Sequence, residues 1–142
     1  MDHTISNLTM DDYEQTVAFW RNQPGISLNE SDEPEPMRRF LLRNPGMSLI
    51  ARNASGTVIA AVLCGHDGRR GYLHHLAVDA AHRRQGLGRA LVERSLAKLA
   101  AAGIPKCNIF LFNDNAEGRR FWEKLGYKSV TWSPMQRVIE KS

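Results

Sequence analysis

The feature that most restricts how this chain can fold lies in its middle. A strand-like segment over residues 72–78 is followed by a polar turn, glycines at Gly86 and Gly88, and a long stretch of helical periodicity. Leu91, Val92, Leu96 and Leu99 recur along one side of a helix that Gly103 ends and Pro105 keeps from resuming. Ile109, Phe110, Leu111 and Phe112 then form a nearly continuous apolar run, the pattern of a strand covered on both faces. Strand, helix, strand in that order predicts a crossover between parallel strands, with the glycine turn at the carboxyl end of a sheet. Open α/β sheets bind ligands at that end, so the turn is the first candidate site.

The flanking segments fill out the sheet. Residues 3–8 alternate weakly, as a short strand does. Thr9 is placed to cap a helix with Asp11 and Asp12 in its first turn and Tyr13, Val17 and Trp20 on its inner side. After an acidic, turn-rich stretch, Pro34 and Pro36 suit the opening of a second helix carrying Met37, Phe40 and Leu41 up to Asn44-Pro45-Gly46. Residues 47–52 and 57–63 flank Asn53-Ala54-Ser55-Gly56 as a hairpin. A short helix over 116–125 and strands at 127–130 and 135–139 close the chain. The predicted order is β-α-α-β-β-β-α-β-α-β-β in a single domain, residues 1–142. The fold class is α/β, a mixed sheet with helices on both faces.

At 142 residues there is room for one hydrophobic core, and 42% hydrophobic with 24% charged residues is ordinary globular usage. No apolar run approaches the roughly 18–20 residues that cross a bilayer, so no membrane partner is expected. The opening Met1-Asp2-His3-Thr4 has no leader character, and a cytoplasmic location is expected. Cys64 and Cys107 stand far apart and read as reduced thiols without metal-ligand spacing; no metal is expected. The net charge of +4 and pI near 9.4 raise the question of nucleic acid. Yet Arg83, Arg84 and Arg89 crowd the glycine turn, while Glu30, Asp32, Glu33 and Glu35 crowd another segment. A local basic cluster among glycines suits a compact phosphate ligand better than a polymer, and no nucleic-acid partner is expected. A solvated surface is the plainer reading of the same arginines.

Where the strand gives way to a helix at Gly86-Leu87-Gly88, unpaired backbone N–H groups point out of a positive helix end. Glycine lets a ligand approach without a Cβ in the way. Arg83 and Arg84 add charge, and the sum is an anion site suited to a pyrophosphate. The spacing matches neither the P-loop nor the dinucleotide fingerprint with its third glycine. Alone, it is equally compatible with an ordinary turn.

Leu76-Ala77-Val78 followed by Arg83-Arg84-Gln85-Gly86-Leu87-Gly88-Arg89-Ala90-Leu91 resembles the coenzyme-binding motif of the GNAT family of N-acetyltransferases. That motif is an Arg or Gln, two residues, a Gly, one residue, then Gly or Ala. A second family signature also matches: Asn115 stands seven residues before Trp122, and Glu123-Lys124-Leu125-Gly126-Tyr127 follows. The resemblance covers most of residues 72–127. It implies the acyl-CoA N-acyltransferase fold, with a mostly antiparallel central sheet containing one splayed parallel pair, and acetyl-CoA as cosubstrate. It further implies that Arg83, Arg84, Gln85, Gly86, Leu87, Gly88 and Arg89 hold the coenzyme pyrophosphate. The backbone of Leu76, Ala77 and Val78 would pair with the pantetheine arm and stabilise an oxyanion, and Asn115 and Trp122 would lie against the coenzyme. Asn115 reads equally well as a plain helix N-cap. The implied acceptor is a primary amine of a small molecule or a protein. The chain is expected as a monomer or a homodimer, edge strand 135–139 being able to pair between copies.

Direct attack on a thioester needs a neutral amine, a stabilised oxyanion and a proton for the leaving thiolate. The family usually supplies that proton from a tyrosine where this chain has Trp122, whose indole N–H donates a hydrogen bond but does not release a proton. A glutamate that some members carry five residues before the Asn is Phe110 here. Water or Tyr127 would then replace the acid, and a non-catalytic acetyl-CoA-binding module stands as the alternative. Tyr72-Leu73-His74-His75-Leu76-Ala77-Val78 is similar to the His-x-His-x-Leu-Ala-Val run of arylalkylamine N-acetyltransferases, with Tyr72 at the first histidine and His74 at the second. Alternation predicts Tyr72, His74 and Leu76 on one face, Leu73, His75 and Ala77 on the other. His74 is the candidate catalytic base ahead of His75; the alternative is a histidine that only packs. The family places the segment holding Glu30, Asp32, Glu33 and Glu35 beside the acceptor, where carboxylates would attract a cationic amine; a solvated acidic loop is the other reading.

Overall fold

The computed structural model describes residues 2–140, which fall into two compact units divided between Phe110 and Leu111. In the first unit, β1 (His3–Asn7), β2 (Leu49–Asn53), β3 (Val58–His66), β4 (Gly71–Val78) and β5 (Cys107–Asn108) form one sheet in sequential order. The pairs β1–β2, β2–β3 and β3–β4 are antiparallel and β4–β5 is parallel. The fold is therefore the expected mixed, mostly antiparallel sheet with a parallel pair at one end. Three helices belong to this unit: α1 (Tyr13–Arg21), α2 (Pro34–Arg43) and α3 (Leu87–Ala101).

Capping chemistry sets the helix starts. Thr9 accepts a hydrogen bond from the Asp11 N–H and the Asp12 carboxylate accepts one from the Thr9 N–H, closing a capping box over a 3₁₀ turn that runs into α1. Pro34 opens α2, where a missing N–H costs nothing. Past α3, Gly103 takes φ +82°, the left-handed conformation that stops a helix.

β3 runs through the centre and is buried from Val58 to Gly65. Its neighbours Leu63 and Cys64 point to opposite sides. Leu63 joins a cluster with Val17 and Trp20 of α1 and Met37 of α2, while the Cys64 thiol lies against the Ser95 carbonyl of α3 at 3.9 Å. Helices thus cover both faces. Burial pushes the Cys64 thiol up to about 12, so it is a packing group rather than a nucleophile. On the α3 face, Leu91, Val92 and Leu99 are buried, and Gly71 of β4 lies so near Leu99 that a Cβ built on it would stand 2.6 Å from Cδ1.

Two expectations at the carboxyl-terminal side fail. The strand expected over 109–112 is confined to Cys107–Asn108, because the β4–β5 ladder stops at the rung Tyr72↔Asn108 and a strand without a partner has no ladder to join. Phe110 instead stacks on Tyr72, at 6.0 Å between centroids. In the second unit, α4 (Ala116–Lys124) forms as expected, but the strands expected at 127–130 and 135–139 are absent. Met135, Val138 and Ile139 are 98%, 83% and 91% exposed, so their alternation meets no sheet to bury one face against among the described residues. The edge strand invoked for pairing between copies is not formed.

Candidate active site

β4 carries the two histidines, and a bulge decides where they point. Its register with β3 runs Ala61↔Ala77 and then Leu63↔His74, so His75 and Leu76 together oppose Val62. At that step His75 has φ +57°, a left-handed conformation that costs a residue with a Cβ roughly 1–2 kcal/mol. The expected alternation therefore breaks. His74 meets the edge of Phe40 on α2 at 6.0 Å, and His75 packs against Trp20 on α1 at 5.2 Å. Both helices feed the same cluster, so the two rings share the α1–α2 side, contrary to the prediction that they face apart.

His74 also stacks on Tyr72 and Phe110, each 6.1 Å away with interplanar angles of 6° and 17°. Burial among these rings lowers its pKa below the ordinary value, helped by the charge of His75 and opposed by Asp32. The shift favours the neutral imidazole, the form a base requires.

His75 Nε2 stands 3.0 Å from both carboxylate oxygens of Asp32. Asp32 belongs to a second capping box. Its Oδ2 accepts from the Asn29 N–H at 3.0 Å, Asn29 Oδ1 accepts from the Ser31 N–H at 2.8 Å, and Tyr13 donates its hydroxyl to the Asp32 carbonyl at 2.6 Å. Burial alone would raise the Asp32 carboxyl. The hydrogen bond from His75, that from Asn29 and the nearness of the two imidazoles outweigh it, holding the group below the ordinary carboxylate range. Beside it opens a cleft of about 330 Å³ whose polar lining includes Tyr13, Glu14, Arg21, Asn29 and Glu33. Nothing in sequence spacing brings Asp32 to His75. The Asn29-x-x-Asp32 pattern was the one available signal, and it announced only the local turn.

At the other end of β4 lies the glycine turn that leads into α3. The Asp79 N–H donates to Ile59 at 2.7 Å, and Asp79 accepts from the Ala81 N–H and engages His82 Nδ1 at 3.0 Å. Arg83 donates its Nε to the Val78 carbonyl at 3.1 Å, which holds its guanidinium beside the strand end. Arg84 has φ +63° and Gly86 φ +78°; Gly86 is the N-cap of α3, and no side chain caps that helix. A Cβ on Gly86 would meet nothing within 4 Å, so glycine is required there by conformation rather than by space. Leu87 is buried and anchors the helix start, whereas Arg83, Arg84, Gln85 and Arg89 are exposed and Gly88 is half-buried. First-turn N–H groups without a side-chain cap, flanked by guanidinium groups, fit a diphosphate. Leu76, Ala77 and Val78 are half-buried and lie beyond the last β4–β5 rung.

In the second unit Asn115 is the N-cap of α4, its Oδ1 accepting from the Gly118 N–H at 2.8 Å. Trp122 packs edge-on against Phe121 at 5.2 Å and Tyr127 at 4.9 Å. Among the described residues no group of His, Cys, Asp or Glu is gathered to hold a metal ion, and no helix is long and apolar enough to cross a membrane.

Residues 5–127 match the family model described as "Acetyltransferase (GNAT) family". An acetyltransferase of Yersinia pestis is 34% identical over 120 residues, which cover 84% of this chain and 83% of that protein. One from Pectobacterium atrosepticum is 32% identical over 132 residues, 92% of each chain. Among solved structures, PaiA N-acetyltransferase from Thermoplasma acidophilum in complex with coenzyme A superposes with a TM-score of 0.78 at 19% identity, covering 94% of each chain.

Proposed function

Because the chain belongs to the GNAT acetyltransferase family and is an acetyl-CoA-dependent N-acetyltransferase, we propose that it transfers acetyl to a primary amine by direct attack in a ternary complex. The observation that carries this reading is the arrangement along β4. The parallel ladder ends at Tyr72, the strand bulges at His75, and residues 76–78 lead through the turn 79–86 to an N-terminus of α3 that no side chain caps.

In this reading the first-turn amides of α3, with Arg83, Arg84, Gln85 and Arg89, hold the diphosphate, and glycines 86 and 88 keep the approach open. Leu76, Ala77 and Val78 offer strand backbone to the pantetheine arm, and an N–H there steadies the oxyanion. The family signature extends the coenzyme contacts to Asn115 and Trp122. Acetyl-CoA supplies the thioester, at whose carbonyl carbon the amine nitrogen forms a C–N bond as the C–S bond breaks. His74, its neutral form favoured by the aromatic surroundings, takes the proton from the ammonium, directly or through water. The indole N–H of Trp122 does not release a proton, so the thiolate takes, through water, the second proton that the nitrogen sheds as the amide forms.

The family match runs across residues 110 and 111, which supports reading residues 1–142 as one catalytic domain. A cytoplasmic setting accords with Cys64 being a buried packing thiol. The test is a panel of small amines and peptide amines with acetyl-CoA, monitored by release of free thiol. Amine-dependent release above the hydrolytic background is expected; its absence across the panel defeats the proposal.

A further inference from the structure

We propose that His75 is a positioning residue, its imidazole pinning loop 29–33 to the β4 bulge so that the acceptor side of the site keeps a fixed register with His74. The proposal rests on the acetyl-transfer reading. His75 holds a left-handed conformation with a side chain that does not favour it, and such a conformation persists where surrounding contacts over-determine it. Those contacts are present. Nε2 lies 3.0 Å from each Asp32 oxygen, the ring packs on buried Trp20, and Asp32 is itself held by the Asn29 N–H and, through its carbonyl, by Tyr13.

An ionised carboxylate only accepts, so the proton on His75 sits on Nε2 and one N–H is shared between the two oxygens. The pair is enclosed, with side chains 16% and 7% exposed, and so escapes most solvent screening. His74 precedes it on the same strand by one peptide bond, with its ring fixed by Tyr72, Phe40 and Phe110. Any relaxation of the bulge therefore moves the candidate base and the cleft-lining loop relative to each other. A contact serving only to stabilise the sheet has no need to reach across to a loop that lines a cleft.

Three variants test this. His75→Gly takes the left-handed conformation without strain and so preserves the fold while removing the ring. His75→Gln places an amide nitrogen near the former Nε2. Asp32→Ala removes the partner. Expected for H75G is an amine kcat/KM lower by about 10–100-fold with calorimetric coenzyme A affinity within about twofold of wild type. Amide hydrogen exchange of loop 29–33 quickens in H75G while that of β2 and β3 does not. H75Q recovers a large part of the loss, and H75G/D32A loses no more than the worse single variant. An active wild type with H75G unaltered in turnover and loop exchange overturns the positioning role alone. So do losses in H75G that fall equally on coenzyme binding, turnover and melting temperature and that Gln does not restore. A wild type that turns over no amine overturns the acetyl-transfer reading, and the positioning role with it.

Discussion

At His74 the surroundings matter more than the residue type. Three aromatic rings exclude water from one imidazole, and the charged form loses hydration without gaining a paired carboxylate of its own, Asp32 being engaged by His75. The base form therefore survives to lower pH than in an exposed histidine. The rising limb of kcat/KM should lie below the ordinary value of 6.5, with a plateau above it, for an amine whose own ionisation is allowed for. His74→Gln should lower kcat by about 100-fold or more and abolish the limb, and a pH–rate series on both proteins checks it. Phe110→Ala admits water to the ring and should move the limb back up. A limb that stays put would mean that Phe110 does not shield His74. The sequence singles out His74 as a candidate through its place in the run, but not the pairing of His75 with Asp32: a bulge at a non-glycine residue leaves no mark in residue order, and those two stand 43 positions apart.

At the scale of elements, strand–turn–helix was legible because each part has a chemical requirement written into it. Gly86 must be left-handed, Leu87 must be buried, and the helix needs Leu91, Val92 and Leu99 inward. Gly86→Ala should cost about 1–2 kcal/mol of stability through its φ of +78° and weaken coenzyme A binding severalfold, by denaturant melts and calorimetry. Gly71→Ala should cost about 1–3 kcal/mol without touching coenzyme affinity directly, since its Cβ would press on Leu99 at 2.6 Å. A neutral Gly71→Ala melt would show that α3 yields at that contact. The terminal strands were misread for the opposite reason. Alternation states which side chains a strand would bury, not whether a ladder partner exists, and β5 ends where its ladder with β4 ends.

For the molecule as a whole, the same groups set how acid unfolds it. Asp32 has a folded pKa below its ordinary value of 3.8, because the hydrogen bonds and charges favouring its anion outweigh burial. Asp67, fully exposed, is held low by hydrogen bonds from the Arg70 and Arg69 backbone, with an effect that solvent screens. Below 3.8 the unfolded chain takes up protons that the folded chain still refuses, so their contribution is complete above that value and is lost as pH falls through the folded values. His74 acts in the same direction at higher pH. Its folded value lies under 6.5, so stability begins to fall once pH drops below 6.5 and levels off when the folded ring is finally protonated. The descent should accordingly have two stages, the first near-neutral and removed in His74→Gln, the second acidic and reduced in Asp32→Asn. Asp32→Asn should also cost about 1–3 kcal/mol near neutrality, from one weakened buried hydrogen-bonded group, and nothing once wild-type Asp32 is itself protonated. Urea melts followed by circular dichroism between about pH 3 and pH 8 measure both stages. If Asp32→Asn tracks wild type in parallel down the acid range, the carboxylate held by His75 is not a source of the acid sensitivity.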